Sequence, residues 1–309
     1  MKAIMYHYVQ EYNPKLPYLK FLDFNNFKKQ LDYFENNYGF VSKEEWLNYV
    51  STGKLPEKRG KILLTFDDGL KCHYDYVLPE LNRRGLWGFF FIPSLPYSDN
   101  KILNVHKIHQ ISAKHSPSKL LSEALKLIDK DVIIENRIKE FEHCTYSLQS
   151  NTESLKYFKQ LFNYFIDHKI STHIIDKLCE NFECHFKPME IYASVPDINK
   201  LLAHGNFVGS HTSEHKLMSC LNTEEQKKSI EKSFETLTSL KLISDRIYAH
   251  PYGGFHSFNN ETIKLLYEAG VKYSFNVEAK EIDTSYFVKK RMHILPRFDC
   301  NLFKFGQVS

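Results

Sequence analysis

The run Trp87–Pro93, WGFFFIP, constrains this chain more than any other stretch. It is apolar at almost every position and shows no polar alternation, so a strand made from it must be covered on both faces. It is also far too short to span a membrane. Strands of that kind belong to parallel sheets clothed by helices. KILLTFDDG at 61–69 has the same texture, and the helical YDYVLPELNRRG stands between the two runs.

The rhythm extends in both directions. Upstream, KAIMYHYV reads as a short apolar strand and FNNFKKQLDYFENNYGF as an amphipathic helix ended by Gly39. A second helix opens at Ser42, whose spacing to Glu45 is that of a capping box. Downstream, HGNFVGSH, EEQKKSIEKSFETL, DRIYAHPYG, NETIKLLYEAG, VKYSFNV and a final strand RMHILPRF continue the alternation. A barrel of β/α units is its natural closure. Between 98 and 188 the texture changes: SKLLSEALKLIDK, NTESLKYFKQLFNYFIDH and STHIIDKLCENF repeat apolar residues at helical spacing. The expected organisation is a β/α barrel from 1–97 and 189–309, with 98–188 a helical insertion.

A formal charge of +4 over 309 residues, with the lysines spread along the chain, argues against nucleic acid as the main partner. The six cysteines are scattered without a zinc-knuckle or disulfide spacing, and reduced thiols are expected. MKAIMYHYVQEYNPK runs out of apolar residues too soon for a secretory signal, and no stretch reaches the length of a membrane span, so the expected location is cytoplasmic. Nothing in the sequence specifies an oligomeric state.

Chemistry concentrates at three places. TFDDG puts two adjacent carboxylates at the C-terminal end of a strand, the rim on which parallel β/α folds build their sites, although Asp-Asp-Gly alone is usually a solvated turn. In GSHTSEH, His211 and His215 are four residues apart, so one helical turn would aim both imidazoles at a common point. Two imidazoles and one carboxylate make an open three-ligand metal site that leaves a position for water. In HPYGG, Pro251 and Gly253 shape a tight turn able to present a backbone N–H.

Taken in order, TFDDG at 65–69, SHTSEH at 210–215 and PYG at 251–253 resemble the motifs of the polysaccharide deacetylase family, the NodB-homology or carbohydrate esterase family 4 enzymes. The resemblance implies an α/β fold, a distorted (β/α)7 barrel. It also implies a metal-dependent carbohydrate N-deacetylase that hydrolyses a linear amide. Asp67 would act as general base, and Asp68, His211 and His215 would hold a divalent metal, in the first place Zn2+. The Tyr252 backbone amide would help hold the oxyanion.

Two positions depart from the family. Where many members carry an Arg before Pro-Tyr-Gly that orients the base, the equivalent position in this chain is Ala249, with His250 next to it. Arg297 in HILPRFD is the candidate replacement, since a guanidinium can hold a carboxylate by two prongs from a neighbouring strand end; the alternative is a surface Arg paired with Asp299. Nor does a histidine stand after an apolar strand near the C-terminus, where the family often keeps its general acid. His293 lies about 13 Å from Arg297 along one strand at ~3.3 Å per residue, so both cannot reach one site. His7, ending AIMYH, is the candidate acid if the first and last barrel strands are neighbours. The alternative is a histidine satisfied by backbone. The substrate expected is an N-acetylated amino sugar in a surface-glycan precursor; an amidase for a small non-carbohydrate amide and a catalytically silent glycan-binding protein are the competing readings.

Overall fold

Ten strands form, in chain order β1 (Lys2–Tyr6), β2 (Val9–Gln10), β3 (Leu22–Asp23), β4 (Ile62–Phe66), β5 (Gly88–Ile92), β6 (Phe207–Ser210), β7 (Ile247–Ala249), β8 (Tyr273–Phe275), β9 (His293–Leu295) and β10 (Arg297–Asp299). They are seen in a computed structural model that describes residues 1–146, 151–243, 245–286 and 292–308. Eight of them make one sheet in the order β10-β1-β4-β5-β6-β7-β8-β9, and every pairing is parallel. β2 and β3 form a separate parallel pair that the sequence did not announce.

The sheet closes through a single proline. β9 pairs with β8 (Phe275↔Leu295) and β10 pairs with β1 (Ala3↔Arg297), while only Pro296 separates β9 from β10. Proline has no N–H to give a ladder, so the run read as one final strand is two short strands that bond to different neighbours. Arg291, which opens that run, lies outside the described residues. One segment thus joins both ends of the sheet, and with β9 and β10 counted as one broken strand, seven strands make a distorted (β/α)7 barrel.

Alternate residues of each strand enter different cores, as a period of two requires. Ala3, Leu63, Phe89, Phe91, Ile247, Ala249, Phe275 and Leu295 share the barrel interior with Trp46, from the helix Lys43–Thr52. Ile4, Tyr6, Leu64, Phe66, Phe90 and Ile92 pack outward against Phe27, Leu31 and Phe34 of the helix Phe24–Asn37 and Leu78 and Leu81 of the helix Leu78–Arg84. Each large apolar side chain removed from water this way stabilises the fold by roughly 1.5–3 kcal/mol. Gly209 in β6 makes room for the interior aromatics: a Cβ there would stand 2.7 Å from the Ile247 side chain and 2.8 Å from the Phe91 ring. The helix Lys43–Thr52 starts with the capping box, Ser42 Oγ accepting from Glu45 N at 3.1 Å and Glu45 Oε2 from Ser42 N at 2.9 Å.

The chain divides into two compact units. One is the barrel, Met1–Glu11, Phe21–Asn100 and Pro188–Ser309; the other comprises Tyr12–Lys20 and Lys101–Lys187. In the second, the helices Asn104–Lys114, Pro117–Leu127, Glu153–Gln160 and His168–Asn181 bury Ile108, Leu120, Phe158 and Ile175. Its segment Tyr12–Lys20 is tied in where Tyr18 N donates to Ala113 O at 3.0 Å. All six cysteines are free thiols. No described helix is long and apolar enough to cross a membrane.

Candidate metal centre and catalytic site

Two adjacent aspartates serve different neighbours because the backbone turns sharply between them. β4 ends at Phe66, and Asp67 N still donates to Tyr6 O at 2.9 Å, so Asp67 stays in register with the barrel. Asp68 then adopts φ 77°, followed by Gly69 at 61°. A left-handed backbone at a non-glycine residue costs of order 1 kcal/mol and survives where the surroundings enforce it. Both aspartates are buried, each 2% exposed.

The histidine pair converges without the helical turn that its spacing suggested. Thr212 (φ 64°) and His215 (φ 53°) are left-handed, and the segment is a bend. Its hydroxyls set that bend locally: Ser210 Oγ accepts from Thr212 N at 3.2 Å and Thr212 Oγ1 from His215 N at 2.9 Å, offering the backbone bonds that compete with helix formation. The rings end 4.8 Å apart, centroid to centroid.

Asp68, His211 and His215 bring one ligand atom each to within 4.8 Å of one another, and all three residues are buried. Each histidine Nε2 lies 3.5 Å from Asp68 Oδ1, too far for a good hydrogen bond. Two ligands that each sit ~2.1 Å from a tetrahedral ion lie about 3.4 Å apart, so the spacing suits a shared cation. The tautomer suits it too. His211 Nδ1 is 2.9 Å from Ala249 O, and because a carbonyl only accepts, Nδ1 carries the proton and Nε2 offers its lone pair. Burial lowers the His211 pKa against the pull of Asp67 and Asp68, which favours that neutral ring. The donor set therefore fits a divalent metal ion.

Beside this group, Arg297 holds Asp67 from across the barrel. Nη1 is 2.7 Å from Oδ1 and Nη2 is 2.8 Å from Oδ2, and Nη1 also reaches Thr65 Oγ1 at 3.2 Å. Nε donates to Asn276 O at 3.3 Å, and the guanidinium carbon lies 5.6 Å from the centre of the Phe91 ring. Thr65 donates in turn to Ile4 O at 2.9 Å. Arg297 is fully buried, while Asp299 caps the turn at Asn301 N instead. Burial alone would raise the Asp67 pKa; Arg297, His211 and His7 outweigh it and hold the carboxyl below its ordinary value.

His7 follows β1 directly and is half-buried, one residue past the last β1–β4 pair, Tyr6↔Phe66, as Asp67 is on β4. Its charge is among those that lower the Asp67 pKa. Tyr252 is left-handed at φ 61°, its ring 4.9 Å from that of His215. Gly253 completes the turn at φ 71°, where any Cβ would run into Val277. His250, next to Ala249, stacks on Phe258 at 3.9 Å and pairs through Nε2 with Ser274 Oγ at 3.1 Å. Burial, with Arg297 and His211 nearby, pushes its pKa down to about 3. Two residues of this neighbourhood had no sequence signal of their own: Thr65, which supports Arg297, and His73, whose Nε2 lies 2.8 Å from His7 O.

Residues 156–274 match the family described as polysaccharide deacetylase. The family resemblance is to the polysaccharide deacetylases. That stretch carries SHTSEH and PYG, while the aspartates of TFDDG lie before it and reach the same centre through the fold. No curated protein matches the sequence. Three solved structures share the barrel. A Streptococcus pyogenes deacetylase, PplD, in complex with acetate is 13% identical at TM-score 0.56, the match covering 97% of this chain and 91% of that one. IcaB from Ammonifex degensii is 16% identical at 0.54, over 96% and 90%. A de-N-acetylase from Aggregatibacter actinomycetemcomitans is 14% identical at 0.53, over 96% and 94%. At such identities these likenesses establish the fold, and it is the polysaccharide deacetylase match that supports a carbohydrate deacetylase.

Proposed function

We propose that this chain is a metal-dependent hydrolase that removes an N-acyl group, in the first place N-acetyl, from an amino sugar in a surface-glycan precursor. One observation carries the reading: Asp68, His211 and His215 converge on one point beside an aspartate clamped by arginine. Asp68 Oδ1, His211 Nε2 and His215 Nε2 would hold the metal, with Zn2+ the first candidate for such a ligand set. Bound there, a divalent ion supplies a Lewis acid for the acyl oxygen and brings the pKa of water toward about 7.

The chain's own groups supply the rest. Asp67 takes the proton of the attacking water, its carboxylate plane held by the Arg297 fork. The Tyr252 N–H donates to the oxygen on which negative charge develops, where a fixed dipole is most effective. His7 gives a proton to the departing nitrogen, which otherwise would have to leave as an amide anion of prohibitive basicity. Arg297 answers the missing family Arg, and this favours an active enzyme over a silent binder.

The test is acetate release. The full chain loaded with Zn2+ is incubated with N-acetylglucosamine oligosaccharides and with nucleotide-linked N-acetylhexosamines, and acetate and free amine are measured together. Equimolar acetate and amine are expected from at least one sugar class and are abolished by a chelator. A folded, metal-loaded protein that releases neither from any of them would sink the reading.

A further inference from the structure

His73 is a buried histidine that none of these steps uses. It opens the π-helical turn His73–Val77, four residues past Gly69, and is 1% exposed between the rings of Phe66 (5.5 Å) and Phe90 (5.9 Å). Its Nε2 lies 2.8 Å from His7 O. The carbonyl has no proton to give, so Nε2–H donates, and in the neutral ring Nδ1 is then a bare acceptor. No described residue offers that Nδ1 a hydrogen bond. Burial, against the His7 bond and Asp68, pushes the ring down to about 4 and keeps it neutral.

An orphaned buried acceptor destabilises the fold, and a phenylalanine in this aromatic slot would avoid that cost. What the imidazole does that phenylalanine would not is grip the His7 carbonyl. That grip comes where it is needed: the β1–β4 ladder ends at Tyr6↔Phe66, and His7 is the first residue beyond it. A π-helical turn is itself a frequent companion of functional sites.

We propose that His73 is a positioning residue for His7, holding its backbone so that its imidazole faces the leaving nitrogen. The inference rests on the reading of His7 as general acid.

A double-mutant cycle tests it. Wild type, His73→Phe, His7→Ala and the double variant, each the Zn2+-loaded full chain, are assayed on an N-acetylglucosamine oligosaccharide and on 4-nitrophenyl acetate, whose leaving group departs without a proton. His73→Phe is expected to lower kcat on the amide by ~10–100-fold, the scale of a misplaced catalytic group, with KM, bound metal and ester rate nearly unchanged. His73→Gln, which restores an N–H donor, is expected to recover most of the loss and stands in should the Phe variant fail to fold. In the His7→Ala background, His73→Phe should add nothing. A full additive loss there, or equal losses on amide and ester from His73→Phe, overturns the role of His73 and leaves His7 standing. Equal losses on both substrates from His7→Ala overturn the acid assignment, and this inference with it. As a readout independent of turnover, the His7 ring resonances should give one conformer in wild type and an averaged ring in His73→Phe; unchanged resonances count against the proposal.

Discussion

Arg297 and Asp67, 230 residues apart in the chain, meet as a two-pronged pair at 2.7 and 2.8 Å with neither side chain more than 2% exposed. Removing the arginine leaves a buried carboxylate without its counter-charge. Arg297→Ala is expected to destabilise the protein by ~3–5 kcal/mol, read as a shift in the urea midpoint at constant m. Arg297→Lys keeps a charge but loses the fork and should fall between Ala and wild type. A midpoint unchanged in Arg297→Ala would mean that the pair contributes nothing to stability.

The metal site makes a stoichiometric prediction. His211→Ala or His215→Ala leaves two ligands, which hold a divalent ion weakly, so most bound metal and activity should be lost. Metal analysis after dialysis checks this, and near-full occupancy in both variants would refute the ligand assignment.

Asp67→Asn should separate chemistry from metal binding. Asp67 faces Arg297 while Asp68 faces the histidines, so the variant is expected to keep its metal and lose activity by ~10²–10⁴-fold, the range for a general base. Metal lost in step with activity would show that the two aspartates share the ion.

Two buried histidines predict an acid-sensitive fold. His73 and His250 are pushed down to about 4 and about 3, chiefly by burial, against about 6.5 in an unfolded chain. Between those limits the unfolded state binds more protons, so the stability they contribute is complete above about pH 6.5 and is lost as pH falls toward 4 and then 3. Each adds a slope of up to ~1.4 kcal/mol per pH unit inside its window. Urea midpoints at pH 7.5, 6 and 5 should decline in wild type and decline less in His73→Gln and His250→Gln; parallel declines in all three would assign the acid sensitivity elsewhere.

What the sequence determined by itself is whatever rests on short-range contacts. The capping box at Ser42 and Glu45 is complete within four residues, the apolar runs of β4 and β5 require cover on both faces wherever they lie, and Asp67 and Asp68 sit at a strand end by their place in TFDDG. Tertiary structure decided the rest. Pro296 divided an apparently single strand because the two halves bond to opposite ends of the sheet. The convergence of His211 and His215 came from left-handed residues in a hydroxyl-bonded bend, whereas their spacing of four suggested a helix. Whether Arg297 met Asp299 beside it or Asp67 across the barrel turned on which carboxylate closure brought into the dry interior, and there a forked pair prevails over an exposed one. His73 could not be read at all, because its partner is a backbone carbonyl, present at every residue, and only the packing of the turn after β4 against the end of β1 chose the one at His7.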